Sequence, residues 1–245
     1  GAPFYVMGFV PGVVMHDSGI AERDYPENKR RAIGESFIDV LADLHAVNVD
    51  EVGLGDLAKK EDYVARQLKR WYGQFQQSKT RELPAVDRQH DVLKAKIPKQ
   101  GKATVVHGDY RIGNCISSPE GKIAAVLDWE ICTLGDPLAD VGYVMATWSE
   151  ASDSMAASPG VPSLLPGFPT RRELLERYAR RSGREVSTID YFTAFALWKS
   201  VCIIEGVYAR YVGGALGQTD VDLEAFRVRI GILADLADQA VARLR

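Results

Sequence analysis

Between Ala103 and Trp129 the apolar residues of this chain stop recurring at helical spacing and come instead in short β-rich runs. The runs are ATVVH (103–107), NCIS (114–117) and IAAVLDW (123–129), with Pro119-Glu120-Gly121 as the turn between the last two. On both sides the period is helical. Ile33, Phe37, Val40, Leu41, Leu44 and Val47 mark one buried face over Asn28–Val47, and Val64, Leu68, Trp71, Tyr72 and Phe75 mark another within Glu61–Lys79. A weaker pattern over Val86–Lys96 ends before Pro98. Pro137 is placed to open a helix running to Trp148. Thr170 and Glu173 form a capping box for a helix that stops at Ser182-Gly183, and two long helices follow over Thr188–Val212 and Asp220–Leu244. Pro3–Phe9 reads as a strand entering a Pro11-Gly12 turn. Ser149–Pro169 has no period, and a long segment of that kind is expected to be a lid or a mobile loop. The expected class is α+β, mostly helical, with a small β-hairpin.

Composition narrows the function classes. A net charge of -3 over 245 residues leaves no basic footprint for nucleic acid. No apolar run approaches the roughly 18 residues of a membrane span, and the start has no signal-peptide pattern. The three cysteines, Cys115, Cys132 and Cys202, are scattered and lack C-x-x-C spacing, which suits a reducing compartment and a cytoplasmic protein.

The chemistry gathers around the β insert. Asp109 follows the run TVVH, Asn114 stands five residues later, and Asp128 follows the run IAAVL. If NCIS and IAAVL pair through the turn, Asn114 and Asp128 share the open end of a hairpin, near Asp109. Oxygen-bearing side chains converging there suit Mg2+, a hard cation that prefers such ligands together with substrate phosphates. Protein kinases use this same spacing. In that scheme Asp109 accepts the proton of a substrate hydroxyl, Asn114 and Asp128 hold metal, and Arg111 neutralises charge on the transferring phosphoryl group. Arg111 reads equally as a surface cation or a substrate-binding residue. Turn chemistry is the bland account of the same polar residues.

The segments HGDYRIGN, VLDWE and GDPLADVG resemble the aminoglycoside phosphotransferase-like family of small-molecule kinases, with a protein-kinase-like fold. The Tyr-Arg pair after Asp109 is most similar to the branch that includes kinase domains fused to acyl-CoA dehydrogenases. PFYVMGFVPG is similar to the hinge between that family's two lobes, LADLHAVN to the helix after it, and LPGFPTRRELLERYARRSGR to the segment beyond the lid. The resemblance implies ATP and Mg2+ as cofactors and a small-molecule hydroxyl as acceptor. Main-chain groups of Gly8 and Val10 would meet the adenine edge, His107 would shape the loop, and Asp140 would tie it to the following helix. Many relatives carry glutamate where this chain has Gly8; a main-chain contact survives that departure. The implied organisation is a last strand and hinge of an amino-terminal lobe over 1–12 and a carboxy-terminal lobe over 13–245. Within that lobe lie a catalytic loop (105–130), a lid-like loop (149–169) and a helical substrate-side part (170–245). Without the rest of an amino-terminal lobe, which would supply the loop covering the phosphates, these residues alone are expected to be poorly active.

Other readings stay open. A pseudokinase module would hold nucleotide or metabolite without turnover, and a metal-dependent hydrolase would use the same three groups. Asp136 reads first as a helix cap, His45 as a packed residue, and Glu130 as a cap rather than a metal ligand. Lys199 and Arg210 read either as contacts for an anionic substrate or as a solvated helix face.

Overall fold

The computed structural model describes residue 4 and residues 6–153, 160–215 and 221–244. The chain divides into two compact units, each assembled from three stretches of sequence. Residues 1–46, 109–131 and 147–184 form the first unit, and residues 47–108, 132–146 and 185–245 form the second.

In the first unit α1 (Ser18–Asp24) and α2 (Glu27–Ala46) precede a hairpin of β2 (Cys115–Ser117) and β3 (Ile123–Val126), and α6 (Arg171–Ser182) follows. The hairpin is antiparallel, with Cys115 opposite Val126 and Ile116 opposite Ala125. Phe37, Ile38 and Leu41 of α2 are fully buried. Helices α2 and α6 are also laced by charge. Arg177 meets Asp39 at 2.7 Å, Arg181 meets Asp43 at 2.7 Å, and Arg31 meets Glu173 at 2.8 Å. The capping box is present: Thr170 Oγ1 accepts the Glu173 N–H and Glu173 accepts the Thr170 N–H. That backbone bond, with Arg31 and the Thr170 hydroxyl, holds the Glu173 carboxyl down to about 2.

The second unit holds α3 (Tyr63–Ser78), α4 (Pro84–Ala95), α7 (Ile189–Val212) and α8 (Leu223–Ala242), with α5 (Leu138–Thr147) entering it. A second two-stranded sheet pairs β1 (Thr104–Val106) with β4 (Thr133–Gly135), antiparallel. Phe192, Phe195, Trp198 and Val201 bring the apolar side of α7 into the core, and α3, α4 and α8 pack on it. By length and composition alone α7 is long and apolar enough to cross a membrane, contrary to the expectation that no segment would be. Its buried residues, including Lys199 and Glu205, give it the character of a core helix.

One further sequence expectation is corrected, and two elements that the sequence did not signal are added. The described residues within 3–9 form no strand; Phe4, Val6 and Phe9 are exposed, and pairing begins only at the bridge between Val13 and Ser117. Apolar alternation alone does not make a strand where no ladder partner lies alongside. The remaining members of that stretch, Pro3 and Tyr5, lie outside the described residues. The run ATVVH is not part of the hairpin's sheet; it pairs with β4, a strand the sequence pattern did not signal because Thr-Leu-Gly is too short to show a period. Helix α1 was likewise missed. It has seven residues, no apolar stripe, and depends on Asp17, whose carboxylate caps the Ile20 N–H at 2.9 Å.

The lid-like loop falls partly on residues outside the description (154–159). Its described flanks are tied down. Ser149 and Ser163 exchange two hydrogen bonds at 2.9 and 3.0 Å, Pro162–Leu164 make a 3-10 turn, and Arg171 pairs with Glu150 and Asp153.

Helix α5 approaches α7 so closely at Gly142 that a Cβ there would overlap the backbone of Phe192. Gly142→Ala is expected to lower stability by about 1–3 kcal/mol through overpacking. Gly73→Ala, in open space on α3, should be neutral or gain up to about 1 kcal/mol. Urea unfolding of both variants checks the pair.

Candidate active site

Strand β1 is buried along its length and delivers the chain to His107 and Gly108 inside the second unit. Gly108 turns there with φ +88°, a conformation that side chains other than glycine rarely adopt. Asp140, fully buried in the first turn of α5, receives this bend. Its Oδ2 accepts the His107 N–H and its Oδ1 accepts the Gly108 N–H, both at 2.7 Å. On the other side of Gly108, the Lys199 ammonium donates to the carbonyl oxygen at 2.8 Å. Asp136 accepts the Leu138 N–H at 3.0 Å, as a helix cap does.

Asp109 is the first residue of the next stretch of the first unit. The stretch is anchored by Tyr110, which is buried, stacks on Phe37 at 4.6 Å and donates its hydroxyl to the Phe37 carbonyl at 2.7 Å. A 3-10 turn over Ile112–Asn114 then folds the chain back on Asp109. The Asn114 amide donates both to the Asp109 carbonyl at 2.9 Å and to its carboxylate at 2.8 Å. Arg111 Nε stands 3.6 Å from the same carboxylate oxygen, with its guanidinium lying over Gly113.

The hairpin completes the arrangement. Leu127 N–H donates to the Asn114 carbonyl at 2.8 Å, which extends the ladder by one rung and sets Asp128 just past the open end. Asp128 is exposed and has φ +63°, a left-handed conformation that aspartate tolerates better than most residues. Asp109, Arg111, Asn114 and Asp128 thus belong to one local structure of the first unit. His107 and Asp140 belong to the second unit and support the bend before Asp109. Gly8 is exposed and Val10 half-buried, in a stretch with neither helix nor strand.

The donor set suits a hard cation. Turning the Asn114 amide round would set its oxygen against the Asp109 carbonyl and carboxylate oxygens, so the N–H side must face Asp109. That leaves Oδ1 as the Asn114 atom available to a metal, alongside the Asp128 carboxylate. A carboxylate and an amide oxygen match Mg2+ better than the sulfur and imidazole ligands usual for zinc. Among the described residues no three His, Cys, Asp or Glu side chains cluster as a metal site, so the donor set here includes the Asn114 amide. Cys115, adjacent to Asn114, is a buried thiol that desolvation pushes up to about 12, which makes it a packing residue.

The sequence profile of the phosphotransferase enzyme family matches residues 1–187. This chain belongs to that family. Among relatives, mouse acyl-CoA dehydrogenase family member 10 is 33% identical over 220 residues, covering 87% of this chain and 20% of that protein. Rat acyl-CoA dehydrogenase family member 11 is 31% identical over 235 residues, covering 94% of this chain and 30% of that protein. The family member described here therefore spans less than a third of the length of these curated relatives, and the similarity to this branch is the one its motifs implied. Among solved structures, a chain from Ralstonia eutropha JMP134, provisionally described as an aminoglycoside phosphotransferase, superposes with a TM-score of 0.83 at 30% identity. That match covers 96% of this chain and 71% of the other. A choline/ethanolamine kinase family protein from Mesorhizobium loti shares the fold, with a TM-score of 0.52 at 15% identity over 95% of this chain and 72% of that one. The α+β fold is that of the protein-kinase-like enzymes.

Sequence reasoning missed Lys199 as a supporting residue. The signal was available: the run FALWKSVCII is apolar on both sides of the lysine, which is not the pattern of a solvated face. The structure buries Lys199 and leaves Arg210 exposed. His45 is a packed residue, its Nδ1 2.8 Å from the Tyr178 hydroxyl.

The bend at Gly108 needs a carboxylate at position 140, because two N–H donors face its two oxygens. Asp140→Asn turns an amide N–H toward one of them. That substitution is expected to cost about 1–3 kcal/mol in equilibrium unfolding. A loss too small to measure would show that the two bonds do not hold the bend.

Proposed function

We propose that this chain carries the phosphoryl-transfer site of an ATP- and Mg2+-dependent kinase whose acceptor is a hydroxyl of a small molecule. The observation that carries the reading is the clamp of Asn114 on Asp109, joined through the hairpin to Asp128. Family membership supports the reaction class, and the donor chemistry of the site supports the metal.

In this reading Asp109 orients the acceptor hydroxyl and takes its proton as the oxygen attacks the γ-phosphorus. ADP is the leaving group. The Asn114 amide keeps the Asp109 carboxylate in one orientation. Asn114 Oδ1 and Asp128 would hold Mg2+, which when bound would neutralise charge on the nucleotide phosphates. Arg111, within 3.6 Å of Asp109 and partly exposed, adds positive charge beside the transferring group. Gly8 and Val10 offer main-chain groups to the adenine edge. Gly8 has open space where a Cβ would stand, so the glutamate of many relatives could be placed there without a clash. His107 shapes the loop in this reading: it is fully buried, and its backbone N–H donates to Asp140. The reading includes no nucleic-acid or membrane partner, and a cytoplasmic location suits its use of ATP.

Asp109→Ala in the natural gene product that contains this chain is expected to lower transfer by about 10²–10⁴-fold. Binding of Mg·ATP, followed by calorimetry, should persist in that variant. Equal turnover in mutant and wild type would remove Asp109 from the role of base.

A further inference from the structure

Lys199 lies in the middle of α7, buried, with the core residues Phe195, Trp198, Val201 and Cys202 beside it in sequence. An ammonium in such surroundings costs on the order of several kcal/mol unless its donors are satisfied, whereas methionine would pack without that cost. The ammonium is directed at the backbone. Nζ donates to the Gly108 carbonyl at 2.8 Å, and the rings of Trp71 and Tyr143 face it at 5.6 and 5.9 Å from their centroids. Together with Tyr63, Asp140 and Tyr143, Lys199 lines a small cavity against Gly108.

The Gly108 carbonyl belongs to the peptide group whose nitrogen is that of Asp109. The two preceding peptide groups are fixed through the His107 and Gly108 N–H groups, both held by Asp140. Lys199 holds the next one. Between the second and third planes the only rotations are those of Gly108, the residue type with the greatest backbone freedom. Asp140 constrains the side of Gly108 toward the strand and Lys199 the side toward Asp109.

We infer that Lys199 is a positioning residue for Asp109: by holding the Gly108 carbonyl it fixes rotation about Gly108 and so sets the direction in which the Asp109 side chain leaves the backbone. This rests on the reading of Asp109 as the base. It places a determinant of turnover on α7, in a residue that need touch neither nucleotide nor acceptor. Misplacing a catalytic group by about 1 Å costs about 10²-fold in rate, so the effect belongs in kcat.

The test uses the natural gene product with Mg·ATP and a panel of hydroxylated metabolites, reading ADP release on the best acceptor of the panel. Lys199→Met should lower kcat by about 100-fold while KM for Mg·ATP stays within about threefold, the pattern of lost transition-state positioning. Lys199→Arg, which keeps a cationic donor, should recover part of the loss. Amide exchange in the peptide spanning 107–110 should quicken in Lys199→Met while α8 exchanges as before. A Lys199→Met enzyme with wild-type kcat, or with its loss confined to KM, overturns the inference. If Lys199→Met does not fold, Lys199→Gln is judged by the same criteria. Asp109→Asn is measured alongside. Full turnover there overturns the reading of Asp109 as base, whereas an inactive Asp109→Asn beside a fully active Lys199→Met overturns the role of Lys199 alone.

Discussion

The fully buried carboxylate of Asp140, accepting two consecutive backbone N–H groups, is the constraint on which the site depends. A bend that leaves two N–H groups pointing into the core would be costly without an acceptor for each, and a carboxylate supplies both. With that acceptor in place, the chain leaves β1, turns at Gly108 in the left-handed region and presents Asp109.

Downstream of the bend the local structure is set by short-range bonds. Tyr110 anchors the loop on Phe37, the 3-10 turn returns Asn114 to Asp109, and the extra rung from Leu127 to Asn114 fixes where the hairpin opens. Residues with a proposed chemical role thus also have a structural one. Asn114 restrains Asp109 with its nitrogen and, in the proposed reading, leaves its oxygen for a metal. Asp128 occupies a backbone conformation in which an alanine or a branched residue would be strained, so a change of side chain there alters the backbone as well as the charge.

Much of this was legible in the sequence because it is local. The helical periods of α2, α3 and α7, the capping box at Thr170 and the hairpin turn at Glu120-Gly121 are written within windows of a few turns. The spacing of Asp109, Asn114 and Asp128 is read through that hairpin. What was not legible depends on long-range pairing. Thr133–Gly135 is a strand through its pairing with β1, and the described residues of the apolar amino-terminal run form no strand. Lys199 shows the same limit: its apolar context signalled burial, but its partner, the Gly108 carbonyl, is 91 residues away.

The central claim is that this site moves a phosphoryl group from ATP to a hydroxyl. The most direct measurement is 31P NMR of the natural gene product incubated with Mg·ATP and a pool of hydroxylated metabolites. The account predicts a new phosphomonoester resonance that grows in step with ADP. Inorganic phosphate as the sole product, or nucleotide bound and returned unchanged with every acceptor, would contradict it.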